Sequence, residues 1–135
     1  MKKFTLKFKV RSYECDSYGH VNNAVYLHYL ECARMSALEE NGFTLNTMKQ
    51  KGYCVVVRRI EIDYKYPLFM NDIITIETFI SEWRNTSGTL TQQIFNEEDE
   101  QLVAEAKVTW VFTNLTGKPI PIPEEIKLAF NWKNN

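Results

Sequence analysis

The sequence predicts an α+β fold, one long helix packed on an antiparallel sheet of five strands. Three observations carry that prediction. Apolar residues recur at helical spacing over one long stretch, from about Asn22 to Asn41. Five other stretches alternate apolar and polar residues with the period of a strand. The last four of these are joined by short turns, which makes consecutive strands antiparallel. One long helix and one sheet then have only each other to bury against.

In chain order, the first strand runs from about Phe4 to Tyr13, and a polar turn, Glu14 to Asn22, follows it. Asn22 or Asn23 caps the helix, its side-chain oxygen accepting an otherwise unpaired backbone N–H. Inside the helix, Tyr26, Leu30, Ala33 and Ala37 form one apolar stripe at steps of four, three and four. Small residues on and beside it (Ala33, Ser36, Ala37) let a sheet approach closely, and Asn41-Gly42 ends it. Phe43 to Gly52 reads as a short helical turn and a connection. Val56, Arg58, Ile60, Ile62, Tyr64 and Tyr66 then share one parity, and Pro67 closes that strand. Ile73–Trp83, Thr89–Asn96 and Leu102–Thr113 are the remaining strands. Pro119, Pro121 and Pro123 force an extended segment, and Pro123 opens a short C-terminal helix as its first residue, with Glu124 and Glu125 favouring the dipole.

The 135 residues bound the chain at one domain spanning 1–135, long enough to bury a core. A 44% apolar content with 3 Trp, 7 Tyr and 8 Phe is globular, not disordered. A net charge of −1 with scattered Lys and Arg gives no electrostatic case for nucleic acid. The basic run Lys2 to Arg11 reads as the solvated face of the first strand rather than a binding arm. MKKFTLKFKV has no continuous apolar core, so no signal peptide is expected, and no run is long enough to span a membrane. Cys15, Cys32 and Cys54 are odd in number and unclustered. Free thiols in a reducing compartment, the cytoplasm, are the expectation.

Chemistry concentrates in the turn. Asp16, Gly19, His20, Asn22 and Asn23 fall within eight positions, so a carboxylate, an imidazole and a helix start are crowded together. A carboxylate is ionised at neutral pH and serves as general base or nucleophile. The unpaired N–H groups at about Asn22 to Ala24 suit a developing oxyanion. Gly19 permits a sharp turn or close approach to a ligand. Each residue has a purely structural alternative: Asp16 as a turn residue bonding its own backbone, the asparagines as caps, His20 as a packed histidine. Glu31 and Arg34, three apart on one helix face, read as an internal ion pair, with support of the site as the functional version of Glu31. A Cys15–His20 nucleophile lacks a third, orienting group. His28 and the cysteines lack metal-ligand spacing, so neither metal nor other cofactor is expected.

The pattern D-x-x-G-H-V-N-N from Asp16 to Asn23, with Tyr26 and then Glu31 and Arg34, resembles hot-dog-fold thioesterases of the 4-hydroxybenzoyl-CoA thioesterase type. H-V-N-N-A-x-Y-L is most similar to the bacterial long-chain acyl-CoA thioesterases, and plant acyl-carrier-protein thioesterases carry a related turn. I-x-Y-x-x-P-L at Ile62–Leu68, N-D-x-I-x-I-E at Asn71–Glu77 and G-K-P-x-x-I-P at Gly117–Pro123 extend the match over nearly the whole chain. The resemblance implies a curved sheet wrapped round the central helix, and a homodimer or homotetramer with active sites between subunits. It implies an acyl-CoA or acyl-carrier-protein thioester as substrate, with Asp16 and His20 catalytic and the oxyanion donor at the backbone N–H of Asn23. Gly19, Asn22, Tyr26 and Arg84 would then contact substrate. One departure stands out. The basic cluster that holds CoA phosphates in the 4-hydroxybenzoyl type is reduced here to Arg84 in Trp83-Arg84-Asn85-Thr86, as in the long-chain enzymes, which favours a fatty acyl group. Rival readings are a non-catalytic acyl-thioester-binding protein and a hot-dog dehydratase.

Overall fold

The computed structural model describes residues 2–130. Strand β1 (Phe4–Lys9) is followed by a single 3-10 turn at Ser12–Glu14 and helix α1 (Asn23–Glu40). Helix α2 (Leu45–Gln50) leads to strands β2 (Tyr53–Tyr64), β3 (Ile73–Trp83), β4 (Ser87–Asn96) and β5 (Gln101–Asn114), and helix α3 (Glu124–Ala129) follows. The five strands form one antiparallel sheet in the order β1-β3-β4-β5-β2. This is the α+β arrangement expected, the hot-dog architecture that the resemblance implies.

Four details differ from the sequence reading. β1 stops at Lys9, because Glu14 reaches back to the Arg11 backbone N–H and closes the chain into the 3-10 turn. β2 and β3 are consecutive but are not neighbours. β2 runs to the far edge beside β5, and residues 65–72 cross beneath the start of α1, with Leu68 fully buried there. The alternation in β2 breaks at a bulge between Val57 and Arg59. Val55 and Val57 pair with Phe112 and Trp110, whereas Ile60 and Ile62 pair with Val108 and Ala106. The inner face therefore switches from odd to even residues, and Val56 and Arg58 do not join Ile60 on it. Pro123 is the residue before α3 rather than its first.

Further bulges between Ile80 and Glu82 and opposite Ile94–Phe95 curve the sheet around α1. Tyr26, Tyr29, Leu30, Ala33 and Ala37 of α1 are buried against it, the stripe read from the sequence with Tyr29 added. One half of the core joins Leu30 and Ala33 to Ile74, Ile76, Ile94, Ala104 and Ala106. The other joins Ala37, Met48 and Tyr53 to Trp110, Phe112 and α3 through Ile126 and Phe130. α3 is fastened at its start, where Glu125 pairs with Lys51 at 2.7 Å and accepts a short hydrogen bond from the Tyr53 hydroxyl.

Candidate active site

The turn before α1 is a tight hairpin. Cys15 pairs with Val21, the Asp16 N–H donates to the His20 carbonyl at 2.7 Å, and the Gly19 N–H returns to the Asp16 carbonyl at 3.0 Å. Gly19 has φ +84°, the left-handed conformation that closes a three-residue loop in register with its strands. The crossing segment locks this hairpin from outside: the Val21 N–H donates to the Leu68 carbonyl at 2.9 Å, and His20 bridges Phe69.

Two polar atoms are left without hydrogen-bond partners among the described residues. Asp16 Oδ1 accepts from the backbone N–H groups of Tyr18 at 2.9 Å and His20 at 3.3 Å. Oδ2 has no hydrogen-bond partner among the described residues, and the side chain is exposed. Asn22 is the N-cap of α1, its side chain accepting from the Ala24 N–H at 2.9 Å. The next donor, the backbone N–H of Asn23, has no acceptor among the described residues and sits at the positive end of an 18-residue helix. The Asn23 carbonyl accepts from the Tyr64 hydroxyl at 3.2 Å, tying the helix start to β2.

A buried brace holds the hairpin from behind. Glu14, 7% exposed, accepts from the Arg11 guanidinium at 2.8 and 3.1 Å, from the Arg11 N–H at 2.8 Å and from the Tyr29 hydroxyl at 2.9 Å. Burial pushes the Glu14 carboxyl up, but these hydrogen bonds outweigh it and hold the group below the usual range. Burial, reinforced by the bond to Glu14, pushes the Tyr29 phenol well above its ordinary value.

Of the other expected site residues, His20 does not orient the carboxylate with its ring. The imidazole packs edge-on against Phe69 at 4.9 Å, and only its backbone N–H reaches Asp16. Tyr26 is 3% exposed, with its hydroxyl accepting from the Leu68 N–H at 3.3 Å, so it holds the crossing segment rather than lining an open site. Arg84 is held in its own hairpin by Glu82 at 2.6 Å, Ser87 at 3.0 Å and Thr89 at 3.1 Å. It follows the last residue of β3, whereas the Asp16 hairpin bridges Phe69, ahead of the first, so the whole strand, roughly 35 Å when extended, lies between them in the chain.

The ion pair expected between Glu31 and Arg34 does not form. Arg34 Nη1 instead donates to Gln92 Oε1 at 3.1 Å. Gln92 is fully buried on the inner face of β4, and its amide donates to the Leu30 carbonyl and the Thr78 hydroxyl, each at 3.0 Å. A buried amide must be satisfied, and it draws Arg34 inward, while Glu31 remains exposed. The signal for Gln92 was present in the sequence: it is a polar residue between Leu90 and Ile94 on an apolar face.

Between the second half of α1 and the sheet lies a cavity of about 440 Å³, with Glu31, Arg34 and Thr78 among its lining and otherwise apolar walls, including Ile80, Leu90, Trp110 and Phe130. Its size suits an apolar small-molecule group. Neither Asp16 nor Asn23 lines it. Among the described residues no group of three or more His, Cys, Asp or Glu side chains could hold a metal ion. No described helix is long and apolar enough to cross a membrane.

The model of the thioesterase-like superfamily matches residues 10–130. The chain belongs to that superfamily. This thioesterase is 38% identical over 122 residues to the long-chain acyl-CoA thioesterase FadM of Escherichia coli K12, covering 90% of this chain and 92% of FadM. It is 32% identical over 133 residues to the acyl-CoA thioester hydrolase YbgC of Escherichia coli O6:H1, covering 96% and 98%. Its backbone matches the crystal structure of Slr0204, a 1,4-dihydroxy-2-naphthoyl-CoA thioesterase from Synechocystis, with a TM-score of 0.90 over 99% of both chains at 20% identity. That last likeness speaks to the fold of the thioesterase alone.

Proposed function

We propose that this thioesterase hydrolyses medium- to long-chain fatty acyl-CoA, with Asp16 as the reacting carboxylate and the Asn23 N–H as oxyanion donor. One observation supports the reading above all. The hairpin–helix junction carries, seven residues apart in the chain, a carboxylate oxygen without a hydrogen bond and a helix-terminal N–H without an acceptor among the described residues. In one route Asp16 Oδ2 attacks the thioester carbonyl, forming a mixed anhydride and releasing CoA thiolate, and water then cleaves the anhydride. In the other, Oδ2 takes a proton from water as the water attacks. Either way, negative charge develops on the carbonyl oxygen facing the Asn23 N–H. The relatives named for acyl-CoA hydrolysis, and the apolar cavity, support the substrate class.

The cavity does not reach Asp16 within one chain, and Arg34 is eleven residues along α1 from Asn23, about 16 Å of helix. A second copy would join the two halves. Exposed Tyr18 on the hairpin, Phe69 beside His20 and Tyr64 on the open edge of β2 form apolar surface around the junction that suits such an interface.

The test is thiol release from saturated acyl-CoAs of increasing length and from one acyl-carrier-protein ester, for wild type and Asp16→Asn. Turnover of a fatty acyl-CoA that falls at least about 100-fold in the variant, with an unchanged circular dichroism spectrum, is the expected result. Full activity in Asp16→Asn refutes the role of Asp16. Tight binding without thiol release in wild type refutes hydrolysis and leaves the acyl-thioester-binding reading. Hydrolysis of the carrier-protein ester alone moves the substrate to that class.

A further inference from the structure

We propose that the acyl cavity selects chains that carry an acceptor oxygen, a hydroxyl or ketone group, and that Arg34 is the residue that recognises it. The inference rests on the acyl-thioester reading above and refines its substrate.

A guanidinium carries five N–H donors. In Arg34 one nitrogen is engaged, by Gln92 Oε1, and no other hydrogen bond or ion pair to Arg34 is found among the described residues. Glu31, the nearest acid on its own helix, acts on it only through space. The group is nevertheless largely removed from water, and burial lowers its tendency to hold the proton, against the pull of Glu31. A part-buried cation whose neighbouring acid makes no ion pair with it gains from an acceptor brought within hydrogen-bond reach.

The donors are not spread round the molecule but line one cavity. Thr78, 2% exposed, accepts from Gln92 Nε2 and so keeps its own hydroxyl proton for another acceptor. Thr78 and Arg34 both line the cavity. Trp110, four residues along β5 from Ala106, the cross-strand partner of Gln92, and so about 13 Å from it, also lines the cavity. The indole N–H of Trp110 is buried without an acceptor. The walls between are Leu90, Ile80 and Phe112. An unsubstituted alkyl chain fills this space but offers no acceptor to the remaining Arg34 N–H groups, the Thr78 hydroxyl or the Trp110 indole. A chain bearing one oxygen satisfies at least Arg34, and a hydrogen bond to a charged group is worth about 10- to 100-fold in discrimination.

Four esters of one chain length decide the matter: dodecanoyl-, 3-hydroxydodecanoyl-, 3-oxododecanoyl- and 12-hydroxydodecanoyl-CoA. The readout is the ratio of kcat/KM for each oxygenated ester to that for the plain one, measured within wild type, Arg34→Met, Arg34→Lys and Thr78→Val. A general loss of activity or stability leaves that ratio unchanged. In wild type at least one ratio is expected to be about 10 or more. It falls to near 1 in Arg34→Met and is partly kept in Arg34→Lys, which retains the cation. Ratios within about twofold of 1 in wild type, or unchanged in Arg34→Met, overturn the proposal while leaving hydrolysis intact. If Arg34→Met does not fold, the wild-type ratios and Thr78→Val carry the decision.

Calorimetry with the non-hydrolysable thioethers 12-hydroxydodecyl-CoA, 3-hydroxydodecyl-CoA and dodecyl-CoA, which carry no carboxylate or acyl carbonyl on the chain, separates this inference from hydrolysis itself. A preference for a hydroxylated chain, lost in Arg34→Met and partly kept in Arg34→Lys, supports the inference even if no ester is cleaved, and equal affinities overturn it. Sedimentation covers the remaining occupant: a dimer that dissociates in Arg34→Met, with no ester preference, assigns the acceptor to a second copy and overturns the proposal.

Discussion

Gly88 has an ordinary strand conformation, yet a methyl group there has no room. A Cβ at this position falls 2.3 Å from Cζ2 and 2.7 Å from Cη2 of Trp110, and 2.8 Å from the Glu82 carbonyl. Ordinary contacts lie near 3.5–4.0 Å, so Gly88→Ala demands that the indole retreat by more than about 1 Å. Trp110 is 5% exposed, edge-on to both Trp83 at 5.9 Å and Phe112 at 5.5 Å, and the Glu82 carbonyl is held in the β3 backbone. The indole can yield only toward the cavity it lines. Overpacking of this kind costs about 1–3 kcal/mol, which for a chain of this size lowers Tm by about 4–12 °C. The same displacement shortens the cavity, so on the proposed acyl reading Gly88→Ala also shifts the preferred ester toward shorter chains. Thermal melting followed by near-ultraviolet circular dichroism, alongside kcat/KM across acyl lengths, reads both effects. A Tm within about 1 °C of wild type and an unchanged length preference would refute the seating of Trp110 on Gly88 as a wall of the acyl site.

Other outcomes follow from the hairpin and its brace. Asn22→Ala removes the cap of α1 and lowers stability by about 1 kcal/mol; kcat falls more than KM rises, because the helix start that presents the Asn23 N–H is loosened. Tyr29→Phe strips one hydrogen bond from the buried Glu14 carboxylate and is expected to cost about 1–3 kcal/mol in urea unfolding. Because the folded-state pKa of Glu14 is depressed, its contribution is present above the unfolded carboxylate value and is lost as pH falls through the lower folded one. Urea midpoints of wild type and Glu14→Gln should therefore converge on acidification below about pH 4; parallel curves would exclude the brace as a source of acid sensitivity.

The strands and helices were legible because each carries its own period, and α1 was legible from its stripe and its Asn22 and Asn41-Gly42 ends. Sheet order was less so. Nothing in residues 65–72 distinguishes a hairpin from a crossing, since the choice is made by Leu68 finding a buried place under Tyr26. The change of face in β2 was hidden for a similar reason: a one-residue bulge at Arg58 leaves no mark in a run where Val56 and Val57 are both apolar. In the site, the conjunction of Asp16 with a capped helix was visible as local sequence. The partners of Arg34 were not, because Gln92 lies 58 residues away and meets it only when β4 is laid beneath α1. Arg84 illustrates the converse, a charge matched to a motif whose actual partners are three neighbours in its own turn.

The two oxygens of Asp16 have different employments, one closing the loop and one left without a bond. An asparagine at position 16 retains an oxygen for the Tyr18 and His20 amides and loses only the anionic atom. Alanine loses both, so its phenotype mixes chemistry with loop geometry. On the role proposed for Asp16, the chemical and architectural demands on this position are separable by a single isosteric exchange. The same proposal puts a descendant that keeps the hairpin, the cavity and the helix cap, and binds acyl thioesters without cleaving them, one substitution from this sequence.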